Sequence, residues 1–161
     1  MQNIRIIEIP PMKAVYSGPL SDSGKFDAFN KWFSDYHADL KNELYPRDFM
    51  QYNERLGVSE WFYALPAGAD EADVGGFDIV DLPHGLYAVA ACLDADLDRA
   101  ADWLDTYNKL KEWAENNDKF TIHRNGEGKP ERYAMFHIVS PGSLMAQGIS
   151  IEDLYMPIEL K

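Results

Sequence analysis

The sequence has one cysteine, Cys92, and no long apolar run. A single cysteine cannot close an internal disulfide, and its apolar neighbours in YAVAACL indicate a buried thiol that packs in the core. No stretch approaches the roughly 18 apolar residues that a transmembrane helix requires. The start, MQNIRIIEIP, has no charged leader followed by an apolar segment. We therefore expect a soluble, cytoplasmic protein that does not contact membranes.

Basic residues are also few, because 15 Lys and Arg stand against 27 Asp and Glu, which gives a formal net charge of −12. A net-acidic surface repels phosphate, so we expect that this domain does not itself contact nucleic acid. The 4 histidines show no metal-ligand spacing, and the glycine-rich loops lack the order of phosphate-binding motifs. The sequence therefore predicts no metal and no cofactor.

Aromatic residues, in contrast, make up 13% of the chain. The segment FDAFNKWFSDYHADL (26–40) places Phe26, Phe29 and Phe33 at steps of three and four residues, which is the spacing of one helix face. This pattern predicts a helix over about 24–43 whose aromatic side packs on a sheet.

A second copy of the opening pattern follows in the chain. IVDLPHGLYAVAA (79–91) is similar to IIEIPPMKAVYSG (6–18), with Pro83 in the place of Pro10. A helix predicted over about 95–116, with Leu104 and Ala114 on its apolar side, follows the second copy. The predicted strands are either two short strands or one kinked strand within 4–18, broken at Pro10-Pro11, then 48–53, 59–68, 79–91, 132–142 and 151–160.

This order of strand, helix, strand, strand, given twice, predicts an internal duplication. We expect an α+β fold in one domain over 1–161, with pseudo-repeat halves of about 3–68 and 76–160 related by a pseudo-twofold axis. Each half would be a small antiparallel sheet with one main helix, and neither could bury enough apolar surface alone. The seam between two such sheets is a natural place for a central groove.

Large rings occupy both faces of the predicted strands. Trp61 and Tyr63 share one face of their strand, and Phe62 takes the other. Only one face can cover a helix, so the remaining rings would line a concavity, since each can remove roughly 150–250 Å² from water. An oligomer interface is the alternative explanation for rings on a second face.

The order and spacing of three short motifs resemble the GyrI-like effector-binding domain family. The motifs are IEIPPMKAVYSGP (7–19), IVDLPHGLYAVAA and EDLYMPIEL (152–160), and the likeness spans essentially the whole chain. That family includes sensor domains of AraC-type and multidrug-responsive transcription regulators and the stand-alone gyrase inhibitory protein. The resemblance implies a cytoplasmic protein that binds a small aromatic or hydrophobic molecule, often cationic, in an aromatic-lined groove.

Many members of the family hold a cationic guest with a buried glutamate, and this sequence departs from that pattern. The matching position is Met135, and His137 stands where a tyrosine is usual. The remaining acidic candidates are Asp153 and Glu60, so a cationic guest, a neutral aromatic and a guest bound by His137 all stay open. The predicted ligand-binding residues are Tyr16, Tyr52, Glu60, Trp61, Tyr63, Tyr133, Met135, His137, Asp153 and Tyr155.

Two other functions remain open at this stage. A few GyrI-like proteins resemble hydrolases that use a glutamate and a tyrosine, and here Asp153 or Glu60 would have to act as the base. The acidic surface could instead imitate DNA in a protein-interaction module that inhibits a topoisomerase. If the protein is a sensor, its possible partners are a second copy in a homodimer and a covalently linked DNA-binding domain outside this chain.

Overall fold

The computed structural model describes residues 3–38, 47–66, 74–94 and 100–161. It is an α+β fold with antiparallel strands, as the sequence predicts. In chain order the elements are β1 (Arg5–Ile9), β2 (Lys13–Leu20), α1 (Ser23–Ala38), β3 (Asp48–Asn53), β4 (Val58–Ala64), β5 (Asp78–Asp81), β6 (Gly85–Asp94), α2 (Ala100–Glu115), β7 (Phe120–Ile122), β8 (Met135–Ile138), α3 (Gly142–Met145) and β9 (Ser150–Leu160).

Most predicted elements are confirmed, and their ends follow local chemistry. The Pro10-Pro11 pair separates β1 from β2 as predicted, because proline cannot donate to a strand ladder. The Oδ1 atom of Asp22 accepts a hydrogen bond of 3.0 Å from the Lys25 amide and so caps α1. The later parts of the predicted first helix and the start of the second lie outside the described residues. The sequence missed β7 and α3, and β8 is shorter than the predicted 132–142.

The chain divides into two compact units. Pro11–Leu82 form the first unit, and Met1–Pro10 together with Pro83–Lys161 form the second. None of the helices in the described ranges has the length and apolarity that crossing a bilayer requires.

The first unit is a sheet with the strand order β3-β4-β2-β5, and α1 packs on one face. Its core is mainly aromatic. Phe29, which is fully buried, contacts the rings of Trp61 and Phe77 at centroid distances of 5.3 and 5.0 Å. Phe33 and Tyr36 pack against the same cluster, so the predicted aromatic stripe of the first helix is its core side from Phe29 onward. Phe26, the first ring of the stripe, is 39% exposed.

The second unit has the strand order β1-β6-β9-β8, with β7 paired to β9. Its core is aliphatic, and Leu110 and Ala114 of α2 contribute to it. The predicted apolar side of this helix is wrong at Leu104, which is 53% exposed. The face that packs includes Trp103, Tyr107, Leu110 and Ala114, so the prediction is confirmed at Ala114, and Trp103 takes the place of Leu104. Cys92 is buried, as predicted.

The first strand of each predicted half pairs outside that half. β1 pairs with β6, with Arg5 opposite Val89, and β5 pairs with β2, with Asp78 opposite Tyr16. The order β3-β4-β2-β5 of the first unit therefore corresponds to the order β8-β9-β6-β1 of the second. In each unit the edge strand, β5 or β1, comes from the other predicted half of the sequence. The pseudo-repeat halves of about 3–68 and 76–160 stay a prediction.

Candidate ligand-binding site

The alternation of β4 separates the predicted site residues of the first unit into two groups. Trp61 and Tyr63 face α1 and belong to the core cluster around Phe29. Glu60 and Phe62 therefore point to the opposite face of the sheet, which α1 does not cover. This surface of the first unit is called the helix-free face below.

Trp61 and Tyr63 are held firmly in the core. The Trp61 ring stacks on Phe26 at 5.4 Å, and its Nε1 atom donates a hydrogen bond of 2.8 Å to Asp48. Tyr63 has no exposed surface and contacts the rings of Phe33 and Tyr36. Both rings thus stabilise the packing of α1, and neither shares the face of Glu60.

Tyr52 is also separated from Glu60. Its side chain lies on the same face of β3 as that of Met50, which packs against the α1 cluster. The Tyr52 ring is 54% exposed. Its neighbours Gln51 and Asn53 point the other way, toward the helix-free face.

A buried carboxylate is the main polar feature of the helix-free face. Glu60 is 4% exposed, and three neutral side chains donate hydrogen bonds to it. The Tyr16 hydroxyl donates to Oε1 at 2.5 Å, and the amides of Gln51 and Asn53 donate to Oε2 at 2.6 and 3.2 Å. Among the described residues, no cation pairs with Glu60. Desolvation of this charge is offset by hydrogen bonds alone.

The strand register explains how these side chains meet. Gln51 lies directly opposite Glu60 in the β3–β4 ladder. On the other side, a bulge between Tyr16 and Pro19 shifts the β2–β4 register, so that Pro19 rather than Gly18 faces Glu60. Gly18 has a φ of +71°, which a residue with a side chain rarely adopts.

Tyr16 is fixed as a hydrogen-bond donor. Burial raises the pKa of Tyr16 above its usual range, and the hydrogen bond and negative charge of Glu60 and the charge of Asp78 raise it further. The ring also stacks on Phe62 at 5.0 Å with an interplanar angle of 18°. The helix-free face therefore presents an aromatic pair directly beside the carboxylate, and half-buried Tyr16 is the part that reaches solvent.

Four predicted residues lie together in the second unit. Met135 is opposite Tyr155 and His137 is opposite Asp153 in the β8–β9 ladder, on the face away from the α2 core. Tyr133 precedes β8 and is buried. Met135 has no exposed surface, and His137 is 3% exposed.

The carboxylate of this second group has a cationic partner. Arg5 of β1 donates a hydrogen bond of 2.7 Å to Asp153. Next to it, Tyr155 contacts the Tyr87 ring edge-on at 6.1 Å, and the Arg132 guanidinium lies 5.6 Å from the Tyr87 centroid. Burial raises the pKa of Tyr87 above its usual range, although Arg132 lowers it in part.

Sequence reasoning included Tyr16 among the site residues but missed the other hydrogen-bond and ion-pair partners of Glu60 and Asp153. Gln51, Asn53 and Arg5 are absent from the predicted site, and so is Asp78. Gln51 and Asn53 did carry a signal, since two amides at a spacing of two residues in an otherwise apolar strand lie on one face. No local sequence pattern pointed to Arg5, because its partner Asp153 is far away in the sequence. Among the described residues, no cluster of His, Cys, Asp and Glu suits a metal ion.

No family model matches the chain, and no curated protein matches it. Several solved structures are similar. The C-terminal domain of EcmrR has a TM-score of 0.62 and 11% identity over 99% of this chain and 98% of that one. A hydrolase from Listeria innocua has a TM-score of 0.61 and 10% identity over 98% of this chain and 92% of that one. SAV2435 bound to tetraphenylphosphonium has a TM-score of 0.51 and 12% identity over 98% of this chain and 94% of that one. At these identities the likeness establishes a shared fold.

Proposed function

We propose that this chain, which has the fold of the GyrI-like effector-binding domains, binds small aromatic cations at the helix-free face of its first unit. Glu60 supplies the counter-charge, and the stacked pair of Tyr16 and Phe62 supplies the aromatic surface. The resulting function is recognition of an effector without its chemical conversion.

The observation that carries this proposal is the buried Glu60 carboxylate, whose partners in the described ranges are all neutral. A buried charge without an ion-pair partner is costly in most proteins. Its retention is explained if a cationic ligand completes the pair when it binds. The desolvated surroundings would also strengthen the attraction, since screening by water is weak there.

The aromatic pair supports the same ligand class. A delocalised cation gains from the negative face of an aromatic ring, by about 2 kcal/mol or more where water is excluded. Tyr16 belongs both to the ring pair and to the hydrogen-bonded cluster. Ring contact and charge neutralisation would therefore occur at the same place.

The wider role that we propose is that of a sensor domain or a stand-alone ligand-binding protein. The fold shared with the C-terminal domain of EcmrR supports the first, and the fold shared with SAV2435 bound to tetraphenylphosphonium supports a cationic ligand. A covalently linked DNA-binding domain and a homodimer belong to this proposal as partners of the sensor.

Titration with tetraphenylphosphonium, with neutral triphenylphosphine oxide as the matched probe, tests the proposal by isothermal calorimetry. The cation should bind, and Glu60→Gln should weaken its binding by tenfold or more, because the counter-charge is removed. Asp153→Asn is the matched control and should change the affinity by less than threefold, since Arg5 already neutralises Asp153. Equal binding of the cation to wild type and Glu60→Gln would contradict the proposal.

A hydrolase is the second candidate, and the Tyr16–Glu60 hydrogen bond is the observation that favours it. A tyrosine and a glutamate in contact can act as a general acid and a general base. The raised pKa of Tyr16 makes it unsuited to lose its proton near neutral pH, so Glu60 would have to serve as the base. Hydrolysis of an aromatic ester that carries an amino group would support catalysis if the product no longer forms in Glu60→Gln. Stoichiometric binding without product would oppose it.

A further inference from the structure

We propose that the preferred ligand carries its charge on a group with at least two N–H donors, such as a primary ammonium or an amidinium. A quaternary ammonium or a phosphonium would then be a weaker ligand. This inference rests on the proposed function and specifies the chemical class that the same site prefers.

The hydrogen-bonding capacity of Glu60 is the first observation. An ionised carboxylate offers about four acceptor positions on its two oxygens. Gln51 and Asn53 donate to Oε2, whereas Tyr16 is the one donor to Oε1 among the described residues. One acceptor position on Oε1 therefore stays available to a donor from a ligand.

The second observation is the amide oxygen of Gln51, which is independent of the carboxylate. Gln51 is 4% exposed, and its buried Oε1 atom has no hydrogen-bond partner within the part of the chain that the structure describes. The orientation of this amide is fixed, because Nε2 donates to Glu60 at 2.6 Å and a flipped amide would place oxygen against oxygen. A buried acceptor left unmatched in this way costs free energy until a donor reaches it.

The two acceptors belong to side chains that the hydrogen bond of 2.6 Å between Gln51 and Glu60 joins. A primary ammonium has three N–H donors and an amidinium has four, so we expect either group to supply a donor to each acceptor while it neutralises Glu60. A quaternary cation has no N–H and can supply only its charge. Hydrogen bonds to charged groups are stronger than neutral ones, so the preference should be tenfold or more in affinity.

Three probes with one ring system measure this preference on the full chain. They are 1-naphthylmethylammonium, its N,N,N-trimethyl derivative and neutral 1-naphthalenemethanol, each titrated by calorimetry at neutral pH. The primary ammonium should bind at least tenfold more tightly than the trimethyl derivative. The neutral alcohol should bind more weakly than both.

Two amide variants locate the source of the preference. Gln51→Met removes the unmatched oxygen and should bring the affinities of the two cations within about threefold of each other. Asn53→Ala is the matched control, because Asn53 also donates to Glu60 but its Oδ1 atom already accepts from the Leu56 amide at 3.1 Å. That variant should leave the tenfold preference in place, and thermal melting of each variant confirms that it is folded.

The outcomes separate this inference from the proposed function. Equal affinity of wild type for the two cations would overturn the inference and leave the cation site standing. A preference that survives in Gln51→Met would also overturn the assignment to Gln51. If the neutral alcohol binds as tightly as the cations, or if no probe binds, both proposals fail. The wild-type comparison needs no variant, so it decides even if Gln51→Met does not fold.

Discussion

The two units use the same strand order but treat an equivalent carboxylate in opposite ways. In the first unit, Glu60 lies on the strand between β3 and β2, and its donors are neutral. In the second, Asp153 lies on the strand between β8 and β6, and Arg5 neutralises it. The edge strands differ accordingly, since β5 brings Asp78 opposite Tyr16 where β1 brings Arg5 opposite Val89. The edge strand thus carries an anion at this position in the first unit and a cation in the second.

The largest expected effect is the loss of stability when each of the two carboxylates is removed. Glu60→Ala leaves the buried donors of Tyr16, Gln51 and Asn53 unmatched and should lower the free energy of unfolding by about 3 kcal/mol. Asp153→Ala should cost less than about 1 kcal/mol, because Arg5 is half exposed and can turn to solvent. Urea denaturation of both variants measures the difference. Equal losses would show that the two carboxylates do not differ as described.

The next effect compares the two buried tyrosines at high pH. The pKa of Tyr87 is raised by burial from its ordinary value of 10.0, so the unfolded chain loses this proton first as the pH rises. Stability is therefore unaffected below about pH 10 and falls above it, by about 1.4 kcal/mol per pH unit for one proton.

Tyr87→Phe should remove that part of the alkaline slope, and Tyr16→Phe should remove a comparable part, because burial and the charge of Glu60 raise the pKa of Tyr16 as well. Urea denaturation between pH 9 and pH 12 measures both slopes. An alkaline slope that is unchanged in Tyr87→Phe would rule out this tyrosine as its source.

The smallest effect tests the neutralising role of Arg5. Arg5→Ala should lower the free energy of unfolding by at most about 1 kcal/mol, because a partly exposed ion pair contributes little. The loss should shrink in high salt, where exposed charges are screened. A loss that is insensitive to salt would point to packing by the Arg5 side chain and would weaken the contrast between the units.

The fold could be predicted further than the site. The break at Pro10-Pro11, the aromatic side of α1 and the strands flanking Glu60 follow from local spacing and from proline chemistry, which act within a few residues. The faces of β4 could not be assigned, because Trp61, Phe62 and Tyr63 are all large rings and alternation alone does not say which face meets the helix. The structure resolves this by packing Trp61 and Tyr63 on Phe29.

The site depends on pairings between distant parts of the chain. Glu60 was predicted as an acidic candidate, but its three donors come from two other strands. The register between two strands cannot be predicted from the sequence of either strand alone. The contact of Arg5 with Asp153 joins the two ends of the sequence. The groove expected at the seam of two halves, and the ligand contacts of Tyr133, Met135, His137 and Tyr155, stay predictions.

The assignment of β1 to the second unit has a consequence for how the protein is made. Pro11–Leu82 emerge from the ribosome as one continuous piece that carries β2, α1, β3, β4 and β5. β1 is synthesised before them, yet its partner β6 appears only after they are complete. Long-range pairing of this kind is slow to form. β1 can therefore pair only after the whole first unit and then β6 have been translated.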